Sequence, residues 1–221
     1  MQNILLTPEE FDAHLADGTL RLSFVGMSNS GKSYRSRVLA ADSGFFWYQV
    51  DGDIQKTLGF KDQDEISAWL GYPSSEHYAK RERRYLELEN EFTGSAAMSA
   101  RGKNLVFDTT GSVVHLADET LRTLRDNTLV VHLDVGNDSM DDLLTRFFRD
   151  PKPVAWSGFF RMEESEPVEE ALRRSYPALL TERLARYRAL AHLNIGASEM
   201  HDKTGAETLA LIRGKLKTGV V

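Results

Sequence analysis

Short apolar runs alternate with longer segments of helical periodicity along the chain. The run from Leu20 to Val25 is too short for a helix and is bounded by glycine, which predicts a strand. Four further strands are predicted at 45–50, 105–107, 129–135 and 193–195. Strands that alternate with helices indicate a parallel sheet covered by helices on both faces.

Helical patterns occupy the intervals between the predicted strands. Thr7 begins the first helix with a capping box, Pro8 takes its first position and Gly18 ends it. Helices are also predicted at 32–41, 65–70, 74–98, 116–125, 140–148, 166–193 and 204–217. We expect an interruption of the long helix 166–193 near Pro177. The stretch 149–166 has no clear periodicity, which is typical of a mobile flap.

The composition is that of a globular protein and narrows the classes of partner. The 221 residues fit one domain spanning 1–221, and 41% hydrophobic residues supply enough apolar surface for a core. A net charge of −6 argues against a nucleic-acid partner, although a local basic cluster could still bind an anionic ligand. With no cysteine, no visible secretory signal and no membrane-spanning run, we expect a cytoplasmic protein.

Residues 26–33, GMSNSGKS, match the phosphate-binding pattern G-x-x-x-x-G-K-[ST] and lie between a predicted strand and a predicted helix. Such a loop wraps phosphate with backbone N–H groups, and the helix N-terminus adds partial positive charge. We expect Lys32 to reach the β- and γ-phosphates and the Ser33 hydroxyl to ligate Mg²⁺. The predicted ATP-binding residues are Gly26, Ser28, Asn29, Ser30, Gly31, Lys32 and Ser33.

Two carboxylates come after the second predicted strand, at the edge of a parallel sheet where ligands bind. Asp51 is predicted to hold magnesium, and Asp53 to orient or deprotonate an attacking hydroxyl. A solvated turn is the alternative interpretation of Asp51-Gly52-Asp53, since Asp-Gly is a common turn dipeptide.

A third strand ends in the same way, with an acid before a glycine-containing turn. Asp108 is predicted to act near magnesium, with capping of the next helix as the alternative. Thr109, Thr110 and the N–H of Gly111 are expected to line a substrate pocket. For His115, just beyond this turn, a capping or surface role is expected, and a position facing the acceptor pocket is the alternative.

A basic run passes through the presumed flap and contains Arg146, Arg149, Lys152 and Arg161. Cations of a closing lid would act on the phosphoryl group in transfer, and Arg149 and Lys152 are the catalytic candidates. An exposed helix end is the alternative, since cations favour helix C-termini. The flap aromatics are expected to stack on a ring or to pack the closed lid, and they are Trp156, Phe159 and Phe160.

Together these motifs resemble the shikimate kinase family, within the nucleoside-monophosphate-kinase-like fold. Residues 51–54 are similar to its D-x-D element, and residues 78–82 to its F-R-x-x-E helix. Residues 152–154 are similar to the R-P-L of its lid, and residues 181–187 to the segment whose arginine binds substrate carboxylate. The resemblance implies strand order 2-3-1-4-5, ATP with Mg²⁺, and a substrate role for Arg183.

The sequence also departs from that family at the acceptor site. Ala79 stands where a second carboxylate-binding arginine would be, with Arg81 nearby as a substitute, and the lid arginine appears as Lys152. A bidentate arginine clamp is not reproduced by lysine or alanine. The resemblance therefore supports the fold, the nucleotide and the reaction, but not shikimate as the acceptor.

These observations predict a three-layer α/β/α P-loop kinase fold with a five-stranded parallel sheet. An acceptor-binding region is expected at about 52–100 and a lid at about 146–166. The predicted activity is transfer of the γ-phosphate of ATP to a hydroxyl of a small molecule. The alternatives are a kinase for a nucleoside, nucleotide or nucleic-acid hydroxyl, and a nucleotide-dependent switch.

Overall fold

The computed structural model describes residues 6–98, 102–136, 140–149 and 154–217. Its sheet is parallel throughout and has the strand order β2-β3-β1-β4-β5, which confirms the predicted fold and strand order. The strands are β1 (Arg21–Val25), β2 (Phe46–Gln49), β3 (Leu105–Asp108), β4 (Leu129–Asp134) and β5 (Leu193–Gly196).

Helices cover both faces of this sheet, as the alternating pattern predicts. In the described ranges they are α1 (Pro8–Ala16), α2 (Lys32–Ser43), α3 (Val50–Leu58), α4 (Gln63–Leu70), α5 (Tyr78–Met98), α6 (Asp118–Asn127), α7 (Met140–Arg149), α8 (Val168–Leu190) and α9 (Gly205–Lys215). Short 3₁₀ turns lie at Val113–His115 and Ala197–Met200. None of these helices is long and apolar enough to cross a membrane.

Two apolar clusters, one on each side of the sheet, make the three layers. Neighbouring strand residues point to opposite sides. Val131 therefore packs with α1, α2 and α9, whereas Val130 packs with α3 to α8. The layer of α3 to α8 also carries the polar side chains at the carboxyl end of the sheet.

A buried arginine connects the helix after β1 to the segment before α9. Arg35 of α2 donates to the backbone carbonyls of Met200 and Lys203 and, over 3.0 Å, to Thr208 Oγ1. These contacts fix the segment between β5 and α9 against α2.

One alternative interpretation and one expectation about local structure are wrong. Asp51-Gly52-Asp53 is not an isolated turn but part of the first turns of α3, where carboxylates are favoured by the helix dipole. The interruption expected near Pro177 is also absent, and α8 runs through it. Tyr176 and Leu179, on either side of Pro177, are buried, so packing compensates for the missing N–H.

Candidate active site

The loop between β1 and α2 has a backbone shape that glycine makes accessible. Gly26 has φ 149°, and a Cβ there would lie 2.9 Å from the carbonyl oxygen of Leu133. Gly31 has φ 96° and is the N-cap of α2. The two glycines of the motif therefore permit the close turn that leads into the helix.

Lys32 is folded back over this loop and is almost fully buried. Its Nζ donates to the carbonyls of Gly26 and Met27, over 2.8 and 2.9 Å. Burial lowers the pKa of the ammonium, while the carboxylates of Asp108 and Asp51 act in the opposite direction. The lysine, the loop and the two predicted metal-binding acids thus form one electrostatic group.

The predicted magnesium donors have the chemistry that the ion requires. Asp108 is 6% exposed, and its Oδ1 has no hydrogen-bond partner among the described residues. Burial raises the pKa of this carboxyl, against the Ser33 hydroxyl and the Lys32 ammonium. A buried carboxylate oxygen without a donor, beside a hydroxyl at a helix start, suits a hard cation with oxygen ligands. Asp108 does not cap the next helical segments, since their N-caps are Ser112 and Ala117.

A cavity of about 100 Å³ lies beside the phosphate loop. Its lining comes from the loop, from α3, α4 and α5, from the turn after β3, from residues 154 and 155, and from α8. Ser28, Thr110, Gly111 and Arg183 are in the wall, as is Asp51. The cavity is therefore continuous with the phosphate-binding elements and open to a second ligand.

Two of the predicted substrate-binding residues, Asp53 and Arg81, are not in this wall. Asp53 accepts a hydrogen bond from Tyr48 Oη over 2.7 Å and pairs with Lys56 over 3.2 Å. Arg81 donates to the carbonyl of Trp69 over 2.6 Å. Both side chains are held by local partners outside the cavity.

Arg183 is buried and held from two directions. Its Nε donates to Nε2 of His115 over 3.2 Å, and its Nη2 donates to the carbonyl of Ala155 over 2.6 Å. Burial, reinforced by Arg183, lowers the pKa of His115 to about 4, so the imidazole is neutral and accepts. His115 thus orients the arginine, and the capping or surface role expected for it is wrong.

Sequence reasoning missed the roles of two residues of α5, Tyr85, which lines the cavity, and Glu89, which contacts its wall. Tyr85 Oη donates to Oδ1 of Asp51 over 3.1 Å. Glu89 accepts hydrogen bonds from the hydroxyls of Thr110 and Ser112, the latter over 2.6 Å. A signal for Glu89 was present, because it lies four residues after Tyr85 on the apolar face of the helix.

The segment 154–160 is tied to the same helix. Oε1 of Glu82 accepts the N–H groups of Trp156 and Ser157, the latter over 2.8 Å. Tyr78 Oη lies 2.7 Å from the carbonyl oxygen of Val154. The indole of Trp156 is 1% exposed and packs edge-on against Phe147 and Phe160, which fits the packing role.

The predicted lid cations are described only in part. Arg149 is exposed at the end of α7, while Lys152 and the side chain of Arg146 lie outside the described residues. Three further arginines form exposed pairs with glutamates on or before α8, and they are Arg173, Arg174 and Arg186.

Solved structures with a similar architecture include shikimate kinases. The enzyme from Acinetobacter baumannii, solved in complex with shikimate, matches with a TM-score of 0.61 and 23% identity over 94% of this chain and 99% of its own. The enzyme from Bacteroides thetaiotaomicron matches with a TM-score of 0.60 and 16% identity over 88% and 97%. A scan against protein-family models finds no match, and neither does a search of curated proteins.

The likeness to these structures is one of fold. This chain has the three-layer fold of the P-loop kinases. Within that class its architecture is shikimate-kinase-like, extending over nearly the whole of both chains.

Proposed function

We propose that this protein is an ATP- and Mg²⁺-dependent kinase that transfers the γ-phosphate to a hydroxyl group of a small molecule. The observation that carries the proposal is the position of the acceptor cavity. It adjoins a complete phosphate loop, and Asp51 contributes to both the wall and the acid group around Lys32. A kinase requires this juxtaposition of phosphate site, carboxylate and acceptor site.

Each residue of the site has a role in this reaction. The loop amides and Lys32 would bind the phosphates, and Ser33 and Asp108 would hold magnesium. The bound ion would neutralise charge on the phosphate oxygens. The sequence predicts that Asp51 holds magnesium and that Asp53 acts on the acceptor hydroxyl. We assign the hydroxyl to Asp51 instead, to orient it and take its proton, because Asp51 lines the cavity and Asp53 does not.

The size of the cavity supports a compact acceptor. About 100 Å³ is small beside the roughly 300–1,000 Å³ of pockets for drug-sized ligands. Arg183 is the one arginine or lysine among its described lining residues. A small metabolite is therefore favoured over a nucleotide acceptor.

The proposal is tested by ADP formation from ATP and Mg²⁺ with pooled hydroxylated metabolites and nucleosides. Acceptor-dependent ADP formation that Lys32→Ala abolishes would establish the kinase. ATP binding without turnover on any pool would favour the nucleotide-dependent switch instead. A wild-type protein that does not bind ATP would refute both the kinase and the switch.

A further inference from the structure

Glu89 is an unusual residue for the interior of this layer. Its side chain is 0% exposed, and it forms no ion pair within the described ranges. Burying a carboxylate without a cation is costly, and such groups occur mainly at functional sites. Burial raises the pKa of Glu89 to about 7 against the hydrogen bonds from Ser112 and Thr110, so the carboxylate that accepts from both hydroxyls is the main form above that pH.

Both oxygens of Glu89 are used by hydroxyls of the acceptor wall. Thr110 donates to Oε1, and Ser112 donates to Oε2 over 2.6 Å. A hydroxyl has one proton, so after donating it to Glu89 each oxygen can only accept further hydrogen bonds. Thr110 Oγ1 already accepts one, from the backbone N–H of Ser112 over 3.1 Å. The carboxylate of Asp51 also only accepts, and Tyr85 has given its own proton to Asp51.

The part of the cavity wall formed by Asp51, Tyr85, Thr110 and Ser112 therefore presents side-chain oxygens that accept. Neutral groups that can donate come from the rest of the lining, at Ser28, Gln63 and Ser67. Also in the rest of the lining, Nε and Nη2 of Arg183 are already bound to His115 and Ala155. A dianionic phosphate would meet lone pairs on one side and a single, partly engaged cation on the other. Hydroxyl groups of a ligand can donate hydrogen bonds to these oxygens of the wall, and a ligand without donors would leave the oxygens unpaired.

We propose that Glu89 makes the hydroxyls of Thr110 and Ser112 hydrogen-bond acceptors toward the cavity. Glu89 thereby selects a compact polyol that carries no phosphate group. Glu89 is a positioning residue that acts through Thr110 and Ser112. The inference deepens the proposed kinase function and rests on it for the identity of the bound molecule as the phosphoryl acceptor.

The discriminating variant is Glu89→Gln, which keeps the shape of the side chain. Its amide nitrogen donates, so one of the two hydroxyls must accept from it and turn its proton toward the cavity. The matched control is Glu87→Gln on the same helix, at an exposed surface pair with Arg84. Ser112→Ala, which removes one of the two hydroxyl oxygens proposed to accept from the ligand, serves as the second variant.

The probes are glycerol, ribose and myo-inositol, each beside its own phosphate monoester, with a non-hydrolysable ATP analogue and Mg²⁺ present. Ligand-induced thermal stabilisation measures binding without turnover. We expect a polyol to stabilise the wild-type protein and Glu87→Gln, and its monoester to bind at least about tenfold more weakly. Glu89→Gln should lose most of this discrimination while binding the ATP analogue within about twofold of wild type.

The proposal is overturned if none of the polyols binds, if a monoester binds as well as its polyol, or if both Glu89→Gln and Ser112→Ala keep the discrimination. These results are independent of the kinase assay. Polyol binding without ADP formation would remove the proposed activity and leave the polarity of the wall established. ADP formation with a phosphorylated acceptor would support the kinase and refute the proposed selection against phosphate.

Discussion

Tyr85 donates a hydrogen bond to Asp51 over 3.1 Å and thereby ties α5 to the first turn of α3. Burial keeps the pKa of Tyr85 well above its ordinary value, so the phenol remains a donor. Its proton occupies Oδ1 of Asp51, and Oδ2 has no hydrogen-bond partner in the described part of the chain. The relationship leaves one carboxylate oxygen of Asp51 for an incoming hydroxyl.

The two carboxylates of the D-x-D element should differ sharply in catalytic effect. We expect Asp51→Asn to lower kcat by about a hundredfold or more, because a positioned base contributes on that scale. Asp53→Asn should lower kcat less than about tenfold, because Asp53 lies outside the cavity lining and is held by Tyr48 and Lys56. Acceptor-dependent ADP formation measures both. A decrease in kcat that is equal or larger in Asp53→Asn would identify Asp53 as the catalytic base.

Asp108 should control the magnesium requirement. Replacing it by Asn removes a charge beside Ser33 and should raise the Mg²⁺ concentration for half-maximal activity about ten- to hundredfold. The acceptor KM at saturating Mg²⁺ should stay within about twofold. A magnesium titration at fixed ATP checks this, with Asp53→Asn as the comparison. An unchanged magnesium titration would remove Asp108 from the metal site.

Glu82 should hold the segment that covers the cavity. Glu82→Ala removes the acceptor for the N–H groups of Trp156 and Ser157, and we expect their amide exchange to accelerate about tenfold or more. Hydrogen–deuterium exchange measured on peptides from 154–160 is the test. Glu87→Ala, at an exposed position of α5, is the control. The N–H of Trp156 also donates to Tyr78 Oη over 2.9 Å. Equal exchange in the two variants would therefore mean that Tyr78 and the packing of Trp156 hold the segment.

A histidine away from the site gives a stability prediction. His192 Nδ1 accepts the N–H of Val130 over 3.0 Å, and burial with Arg125 lowers its pKa from 6.5 to about 4. Because its folded pKa lies below its unfolded pKa, its stabilisation is complete above about pH 6.5 and is lost as the pH falls toward 4. The loss should be about 1–2 kcal/mol after allowance for partial exposure.

His192→Asn supplies a test, because the amide oxygen can accept from Val130 but does not titrate. Urea unfolding at several pH values between 4 and 7 should give a shallower acid loss in this variant. His201→Asn, at a 79% exposed side chain, is the control. Parallel pH profiles for all three proteins would contradict the assignment.

The sheet and the phosphate loop could be predicted because each depends on a few adjacent residues. The apolar run before Gly26 predicts a strand, and the spacing from Gly26 to Lys32 predicts a phosphate loop, without reference to distant residues. The roles of Asp51 and Asp53 could not be separated in this way. In a turn both could face a ligand, but in α3 residues two apart are about 200° apart around the axis. Tyr48 binds one acid and Tyr85 the other, which only the folded chain decides.

Glu89 illustrates the same limit over a longer distance. Its position on the apolar face of α5 was visible, but its partners Thr110 and Ser112 come from another strand end. Hydrogen bonds between segments that distant depend on how α5 docks onto the sheet, and no local pattern encodes that. Pro177 shows the converse, since tertiary packing overrode a strong local signal.

Arg35 holds α2 and the segment before α9 together through its hydrogen bonds to backbone carbonyls. Because it leaves α2 one turn after Lys32 and holds the backbone at Met200 and Lys203, changes around α9 are transmitted to the nucleotide end of the protein. Substitutions around Thr208, remote from any ligand, should therefore be epistatic with substitutions in the phosphate loop. The helix α9 is therefore best regarded as a structural support of the phosphate-loop helix.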